Sequence, residues 1–327
     1  MTVSILMLLV VVALPALTPS NESRRVREAV RQLNVFFGAA RAQAMQTGRP
    51  VGVMLERMAG LGQAAVMAYQ VEVPPAYSGE VINSAARVSY AGSSGTTVTF
   101  NLTASNIVNS KIQVGDQVQF NNQGPLYLVA SVNPLRVQLD IRDRKTWPWP
   151  STGSSPPVPF KFFRQPIRSP VAPLELPSAV AIDLQSSGTD VYPYLFTPIP
   201  ADASSTAPTQ IAFMFSPSGA LDRLYFRSPY TGNDTFRMIR EPVYLLVGRR
   251  DRIQVAQDVT TATLEDQYPN WFDATSIWLT VSPLTGIAAA KENFLIINML
   301  RDGYGVRNRG ISVARTLARQ AQTMGGR

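Results

Sequence analysis

Two residue types that carry much of enzyme chemistry are missing from this chain of 327 residues, which contains no cysteine and no histidine. Their absence excludes disulfides, thiol nucleophiles, Cys/His zinc sites and a Ser-His-Asp triad. The sequence also lacks a P-loop, a GxGxxG phrase after a strand, an HExxH motif and a GxSxG motif. Asp183 and Asp190 lie near an SSGTD turn, but no second copy of this turn could complete a carboxylate dyad. We therefore expect that the protein is not an enzyme.

Acidic and basic side chains indicate two other kinds of chemistry, calcium binding and anion binding. Glu265, Asp266 and Asp273 could bind calcium, but they lack EF-hand spacing, so a solvated loop is the simpler interpretation. We expect no cofactor, with calcium as the single candidate.

The net charge of +8 permits a membrane surface or nucleic acid as a partner, without pointing to nucleic acid. Charge alone would let the basic tail contact phosphates through Arg301, Arg307, Arg309, Arg315 and Arg319.

The first element that could position such groups is an apolar run at the N-terminus. Residues 3–17 read VSILMLLVVVALPAL, in which only Ser4 is neither apolar nor proline. As a helix this run is about 22 Å long, which is shorter than the roughly 30 Å core of a bilayer. Three interpretations stay open: a signal-peptide core without the usual preceding Lys or Arg, a buried core helix, or a transmembrane helix that lacks its first turns.

An amphipathic segment continues the helix, which we expect over residues 3–47 with a bend near Pro15–Pro19. Gly48 and Pro50 predict its end. One apolar stripe advances in steps of four and three through Val26, Val30, Leu33, Phe37, Ala40 and Ala44. Packing on the helix's own domain is the simplest use of this stripe, and assembly with other chains is the alternative.

Several phrases, taken in order, resemble the type IV pilin-like proteins, and most of all the H-type minor pseudopilins of type II secretion and the FimT-like minor pilins. The first is ARxxAxxxGRPV at the end of the amphipathic helix (residues 40–51). The later ones are LPSAVAIDL (176–184), IAFMFSPSGALDRLYF (211–226), VYLLVGR (243–249) and SIWLTVSPLTGIAAAKEN (276–293). The resemblance covers residues 1–75 and 175–293.

The resemblance implies an α+β fold, in which a long N-terminal helix for membrane insertion and assembly packs on an antiparallel β-sheet domain. The expected divisions are a helical segment (1–50), a pilin-like β-domain (51–75 and 175–293), an inserted small β-subdomain ending in a Pro-rich linker (76–160), and a basic tail (294–327). Short alternating runs such as TTVTFNL and DQVQFNN indicate that the insertion is a small β-sandwich or barrel.

The same resemblance implies a structural function. The chain is expected to be a minor pseudopilin or pilin-like subunit of a type II secretion pseudopilus or a type IV pilus-like filament. It would cross the bacterial inner membrane once, with its β-domain in the periplasm or outside the cell, and would contact other pilin subunits and inner-membrane lipid. The residues expected to form the assembly helix are Ile5, Leu6, Leu8, Leu9, Val10, Val11, Val12, Leu14, Pro15 and Leu17.

The N-terminus departs from the family pattern. In the family a basic leader ending in Gly is cut before a Phe or Met, and a Glu follows soon after, whereas here no acidic residue precedes Glu22. We expect the native start to lie upstream, with a prepilin peptidase as a further partner. The alternative is a membrane-anchored or secreted β-rich binding module with an ordinary signal sequence, which cleavage after residue 17 would favour.

Overall fold

A computed structural model describes residues 2–94, 97–104, 111–133, 136–141, 154–190, 194–196, 210–227, 234–253, 268–293 and 307–324. The chain divides into two compact units. The first unit consists of Met1–Val71, Arg168–Gly232 and Phe236–Arg327, and the second consists of Glu72–Ile167 and Asn233–Thr235.

Within the described residues the chain forms two α-helices and eighteen β-strands. In chain order they are α1 (Thr2–Thr47), β1 (Val51–Met58), β2 (Leu61–Glu72), β3 (Ala86–Ser94), β4 (Thr97–Ala104), β5 (Gln117–Phe120), β6 (Tyr127–Asn133), β7 (Arg136–Ile141), β8 (Phe160–Phe163), β9 (Ile167–Arg168), β10 (Leu174–Glu175), β11 (Val180–Thr189), β12 (Tyr194–Leu195), β13 (Gln210–Phe215), β14 (Leu221–Arg227), β15 (Asp234–Met238), β16 (Val243–Arg249), β17 (Ile277–Val281), β18 (Ala288–Glu292) and α2 (Arg307–Met324).

The first unit is built on a sheet with the strand order β15-β14-β13-β1-β2-β11-β16-β17-β18, to which β9, β10 and β12 add short pairings. β1 pairs antiparallel with β13, with Val51 opposite Phe215. β2 pairs antiparallel with β11, with Ala65 opposite Ile182. The strands that precede the predicted insertion therefore share one sheet with strands that follow it.

Helices pack against both faces of this sheet. Val243, Leu245 and Val247 of β16 belong to the apolar core that contains the buried side of α1. Tyr244 and Leu246, which alternate with them, belong to a second core that contains α2. Successive side chains of a strand point to opposite faces, so a strand that is apolar at every position needs cover on both sides. This explains the continuous run VYLLV in the sequence.

The second unit has a six-stranded antiparallel sheet in the order β3-β4-β7-β6-β5-β8. β8 pairs with β5, and the segment just before β8 pairs back onto β3 through the bridges Ala86–Val158 and Ser89–Ser154. The strand pairs therefore close into a ring. The core of this unit includes Val88, Val118, Phe120, Val129, Leu139, Phe160 and Phe162.

The fold class that the resemblance implies is wrong. It implies an α+β protein in which a long N-terminal helix packs on an antiparallel β-sheet domain with an inserted small β-subdomain, but the described residues form a mainly antiparallel β-protein with two helices. Among the described residues, the twelve strands of the first sheet and the six of the second outweigh the helices, and the basic tail adds a helix against the first sheet. Pro15 and Pro19, where a bend is expected, lie within the bounds of α1.

Candidate functional site

The sheet-facing side of α1 contains all six residues of the predicted stripe. The six, each at most 2% exposed, are Val26, Val30, Leu33, Phe37, Ala40 and Ala44. The ring of Phe37 lies 5.9 Å from that of Phe213 and 6.3 Å from that of Phe215. The stripe therefore anchors α1 on its own sheet, and any contact with another chain must use a different side of the helix.

The apolar residues expected to form the assembly helix, Ile5 to Leu17, lie outside the residues whose side chains the structure describes. Where side chains are described, no helix combines the length and the apolar character that a membrane crossing needs. The candidate site is therefore built from the described part of α1 and from the elements that contact it.

Arg41 joins α1 to the turns of two hairpins. Its Nε donates hydrogen bonds to the backbone oxygens of Gly219, at 3.1 Å, and Thr285, at 2.7 Å. Gly219 lies between β13 and β14, and Thr285 lies between β17 and β18. Three phrases that resemble the pilin-like family, the helix end and the two turns, thus meet at one guanidinium. No local pattern in the sequence indicates that these phrases are in contact.

Both turns need glycine at this junction. Gly219 has a φ of +82° and Gly286 a φ of +64°, which side chains rarely adopt. A Cβ on Gly219 would lie 2.8 Å from the Met45 sulfur, and a Cβ on Gly286 would overlap the backbone oxygen of Gly219. The glycines let both turns approach α1 closely, so the Pro-Ser-Gly and Thr-Gly phrases are the signal that could have located this contact.

Between Val35 and Met45, the side of α1 that faces away from the sheet is also apolar. The exposed residues of this stretch, here named the outer face of α1, are Val35, Gly38, Ala39, Ala42 and Met45. Val35 is 69% exposed and Met45 is 49% exposed. Leu284, which is 86% exposed, and Ile287, which is 54% exposed, flank the turn that Arg41 holds. No apolar pattern in the sequence marks this face.

The part of α1 whose side chains are described begins with a basic segment. Its exposed arginines are Arg24, Arg25, Arg27 and Arg31. Arg27 pairs with Glu292 at 3.4 Å, and Arg31 pairs with Glu28 at 3.1 Å. The hydrogen bond from Arg31 holds the pKa of Glu28 below its ordinary value. A cavity of about 520 Å³ lies beside this segment, and its lining residues are Asn21, Arg24, Arg25, Glu28 and Pro177.

Asp183 is a buried carboxylate in the irregular middle of β11. Its Oδ1 accepts hydrogen bonds from the backbone N–H of Gln185, at 2.9 Å, and of Ser186, at 3.2 Å, and its Oδ2 accepts one from the Ser186 hydroxyl. Burial raises its pKa to about 6, although these hydrogen bonds act in the opposite direction. The pairing of β11 with β16 shifts register between Asp183 and Gly188, so the carboxylate accepts hydrogen bonds from backbone N–H groups at a β-bulge. Since it is fully buried, we assign it a structural role.

The tail arginines proposed as anion contacts occupy different environments. Arg315 is fully buried. Its guanidinium donates hydrogen bonds to the backbone oxygens of Ser186, at 2.7 Å, and of Asp190, at 2.9 Å. These contacts correct the prediction that Arg315 contacts phosphate. The cause is the docking of α2, whose Ile311, Ala314 and Ala318 pack with Trp271 and Trp278. Arg309 and Arg319 are exposed on α2, Arg307 lies in α2 without a described side chain, and Arg301 lies outside the described residues.

The acids proposed for calcium are not assembled into a site by the part of the chain that the structure describes. Asp273 is buried, pairs with Arg252 at 2.8 Å and accepts a hydrogen bond from the backbone N–H of Thr275. Glu265 and Asp266 lie outside the described residues. Among the described residues, no three His, Cys, Asp or Glu side chains are grouped closely enough to hold a metal ion.

No protein family model, no curated protein sequence and no solved structure matches this chain. A functional assignment therefore depends on the surfaces described above and on the phrases that resemble the pilin-like proteins.

Proposed function

We propose that this protein is a structural subunit of a pseudopilus or type IV pilus-like filament, and that it assembles through α1. The observation that carries the proposal is the outer face of α1. This face exposes five small or apolar residues on a helix whose opposite side is already buried in its own sheet. In this function the chain is neither an enzyme nor a cofactor-binding protein.

The outer face fits contact with another helix better than it fits water. Apolar surface removed from water contributes about 25 cal/mol per Å² to the free energy of association. Val35 and Met45 can therefore contribute such free energy only when another surface covers them. Gly38, Ala39 and Ala42 add little bulk, and small residues at such positions let two helices approach closely. The α1 of a neighbouring copy or of a related subunit is a partner of this kind.

The apolar run at the start of α1 supports the same function. Residues 3–17 would lie first in the inner membrane and then against the corresponding runs of neighbouring subunits. Each fully buried Val, Leu or Ile side chain contributes roughly 1.5–3 kcal/mol. The β-rich units would then be displayed in the periplasm or outside the cell.

Site-specific photocrosslinking in the native host tests the proposal. A photoreactive phenylalanine at Ala42, on the outer face, should crosslink to another subunit. A second probe at Leu9, within the apolar run, should do the same. The matched control is the same probe at Arg319, which is exposed on α2, and this probe should give no such product. Ala42→Arg should abolish the crosslink from Leu9 while the monomer stays folded, because a buried unpaired charge costs several kcal/mol.

The N-terminus of the native protein provides an independent test. Mass spectrometry should find a methylated Phe or Met ahead of an extended sequence, with Ile5 to Leu17 retained. A mature protein that starts after residue 17 would lack the assembly segment. That result, or the absence of crosslinks from both probes, would contradict filament assembly and favour the binding module.

A further inference from the structure

The basic segment of α1 leaves two arginines exposed at the end nearest the apolar run. Arg27 and Arg31 are engaged with Glu292 and Glu28. Arg24 and Arg25 are exposed and precede both of them in the helix. Both also line the cavity of about 520 Å³ beside α1, so two guanidinium groups border one open space.

The chemistry of this cavity favours an anion. Its other lining residues are Asn21, whose amide can donate hydrogen bonds, Pro177, and Glu28. The Glu28 carboxylate accepts hydrogen bonds from Arg31, at 3.1 Å, and from Gln32, at 3.1 Å. Because these donors already satisfy Glu28, its negative charge opposes an incoming anion less than an unpaired carboxylate would.

The position of the cavity along α1 identifies the source of the anion. Arg24 follows Leu17, the last residue of the apolar run, by seven positions, which is about 10 Å of helix. Helix side chains tilt toward the N-terminus, so both arginines reach back toward the run. Each headgroup layer of a bilayer is about 5–8 Å thick. With the run in lipid, Arg24 and Arg25 would reach the phosphates of the headgroups.

We propose that Arg24 and Arg25, at this cavity, bind the phosphodiester group of an anionic phospholipid at the membrane surface. The proposal rests on the membrane-inserted stage of the proposed function. It assigns a second task to α1, since the basic segment holds the subunit at the bilayer surface before the outer face engages another subunit.

The test compares binding of the full chain to two kinds of vesicle, one of phosphatidylcholine and one of an equimolar mixture with phosphatidylglycerol. The measured quantity is the ratio of the two partition coefficients. An arginine near an anionic surface contributes about a 5-fold gain in binding, so Arg24→Gln with Arg25→Gln should lower this ratio about 25-fold. The matched control is Arg87→Gln with Arg240→Gln, which removes the same charge from exposed positions outside α1 and should leave the ratio unchanged.

Each result of this test decides the proposal. An unchanged ratio in the Arg24 and Arg25 variant, or an equal fall in the Arg87 and Arg240 control, would overturn it. Inorganic phosphate at matched ionic strength should not lower the ratio, and full competition by phosphate would overturn the lipid as the source of the anion. Binding to vesicles of phosphatidylcholine alone measures insertion of the apolar run. Failure of the full chain to bind these vesicles would contradict the membrane stage of the proposed function, and it would not affect the comparison between variants.

Discussion

At the scale of single residues, alanine substitutions at two glycines inside helices should change the free energy of unfolding in opposite directions. Gly38 lies in α1, and a Cβ there would have nothing within 4 Å, whereas a Cβ on Gly310 of α2 would overlap the ring of Trp271. Gly38→Ala should raise the free energy of unfolding by up to about 1 kcal/mol, because alanine favours the helix. Gly310→Ala should lower it by about 1–2 kcal/mol, since overpacking outweighs the same gain. Urea denaturation of both variants measures the difference, and a shift of the same sign in both would contradict the described packing.

Gly38→Ala also separates stability from assembly. If a second helix packs on the outer face of α1, an added methyl group at this position should weaken that contact while it stabilises the monomer. The photocrosslink from Ala42 should therefore become weaker in the more stable variant. A crosslink of unchanged strength would show that the partner does not approach α1 at Gly38.

Asp183 predicts a particular dependence of stability on pH. Its pKa is raised from 3.8 to about 6 in the folded protein, so the folded state binds a proton more tightly than the unfolded state. Its contribution to stability is therefore fully present below about pH 4, and it falls as the pH rises through about 6, by a total of about 3 kcal/mol. Asp183→Asn retains an acceptor for the backbone N–H groups and removes the titration. The gap between wild-type and variant unfolding free energies should therefore change across this pH window, and a constant gap would contradict the assignment.

At the scale of secondary-structure elements, the hydrogen bonds of Arg41 should couple the stability of α1 to that of two hairpin turns. Arg41→Met keeps the apolar stem and removes both hydrogen bonds to the turns, so the free energy of unfolding should fall by about 1–2 kcal/mol. Hydrogen exchange should become faster in the β13–β14 and β17–β18 turns together. The matched control is Arg309→Met on α2, which should change neither. Faster exchange in one turn alone would show that Arg41 does not join them.

The sequence predicts those elements whose pattern is local. The stripe from Val26 to Ala44 is recognisable because one-sided burial imposes a helical period on large apolar residues. The outer face is not recognisable in this way, since Gly38, Ala39 and Ala42 have no clear preference for water or core. The contacts of Arg41 and Arg315 join segments that are 178 and 129 residues apart, and no local pattern specifies such pairings. The fold class is wrong for a related reason, because the strand runs do not show that two antiparallel sheets together outweigh the helices in the described part of the chain.

At the scale of the whole molecule, the chain leaves the first unit and returns to it at neighbouring points of one sheet. β2 ends at Glu72, and β9, which pairs with β2, begins at Ile167. The backbone N–H of Ser169 donates to the oxygen of Gln70 at 2.8 Å. A long insertion between two such points costs the first unit little, because the entropy of loop closure grows only slowly with length.

This geometry predicts that the first unit folds without the second. Replacement of residues 73–166 by an Asn-Gly turn should leave β2 and β9 paired and the core around Phe37 and Leu245 intact. The deletion removes Trp147 and Trp149 and keeps Trp271 and Trp278, which are 3% and 1% exposed. Tryptophan emission should therefore stay blue-shifted and change in one cooperative step in urea. The shortened chain should also crosslink through Ala42 as the full chain does, because the outer face of α1 belongs to the first unit. A red-shifted emission in buffer would show that the first unit depends on the insertion, and a folded variant without crosslinks would show that assembly does.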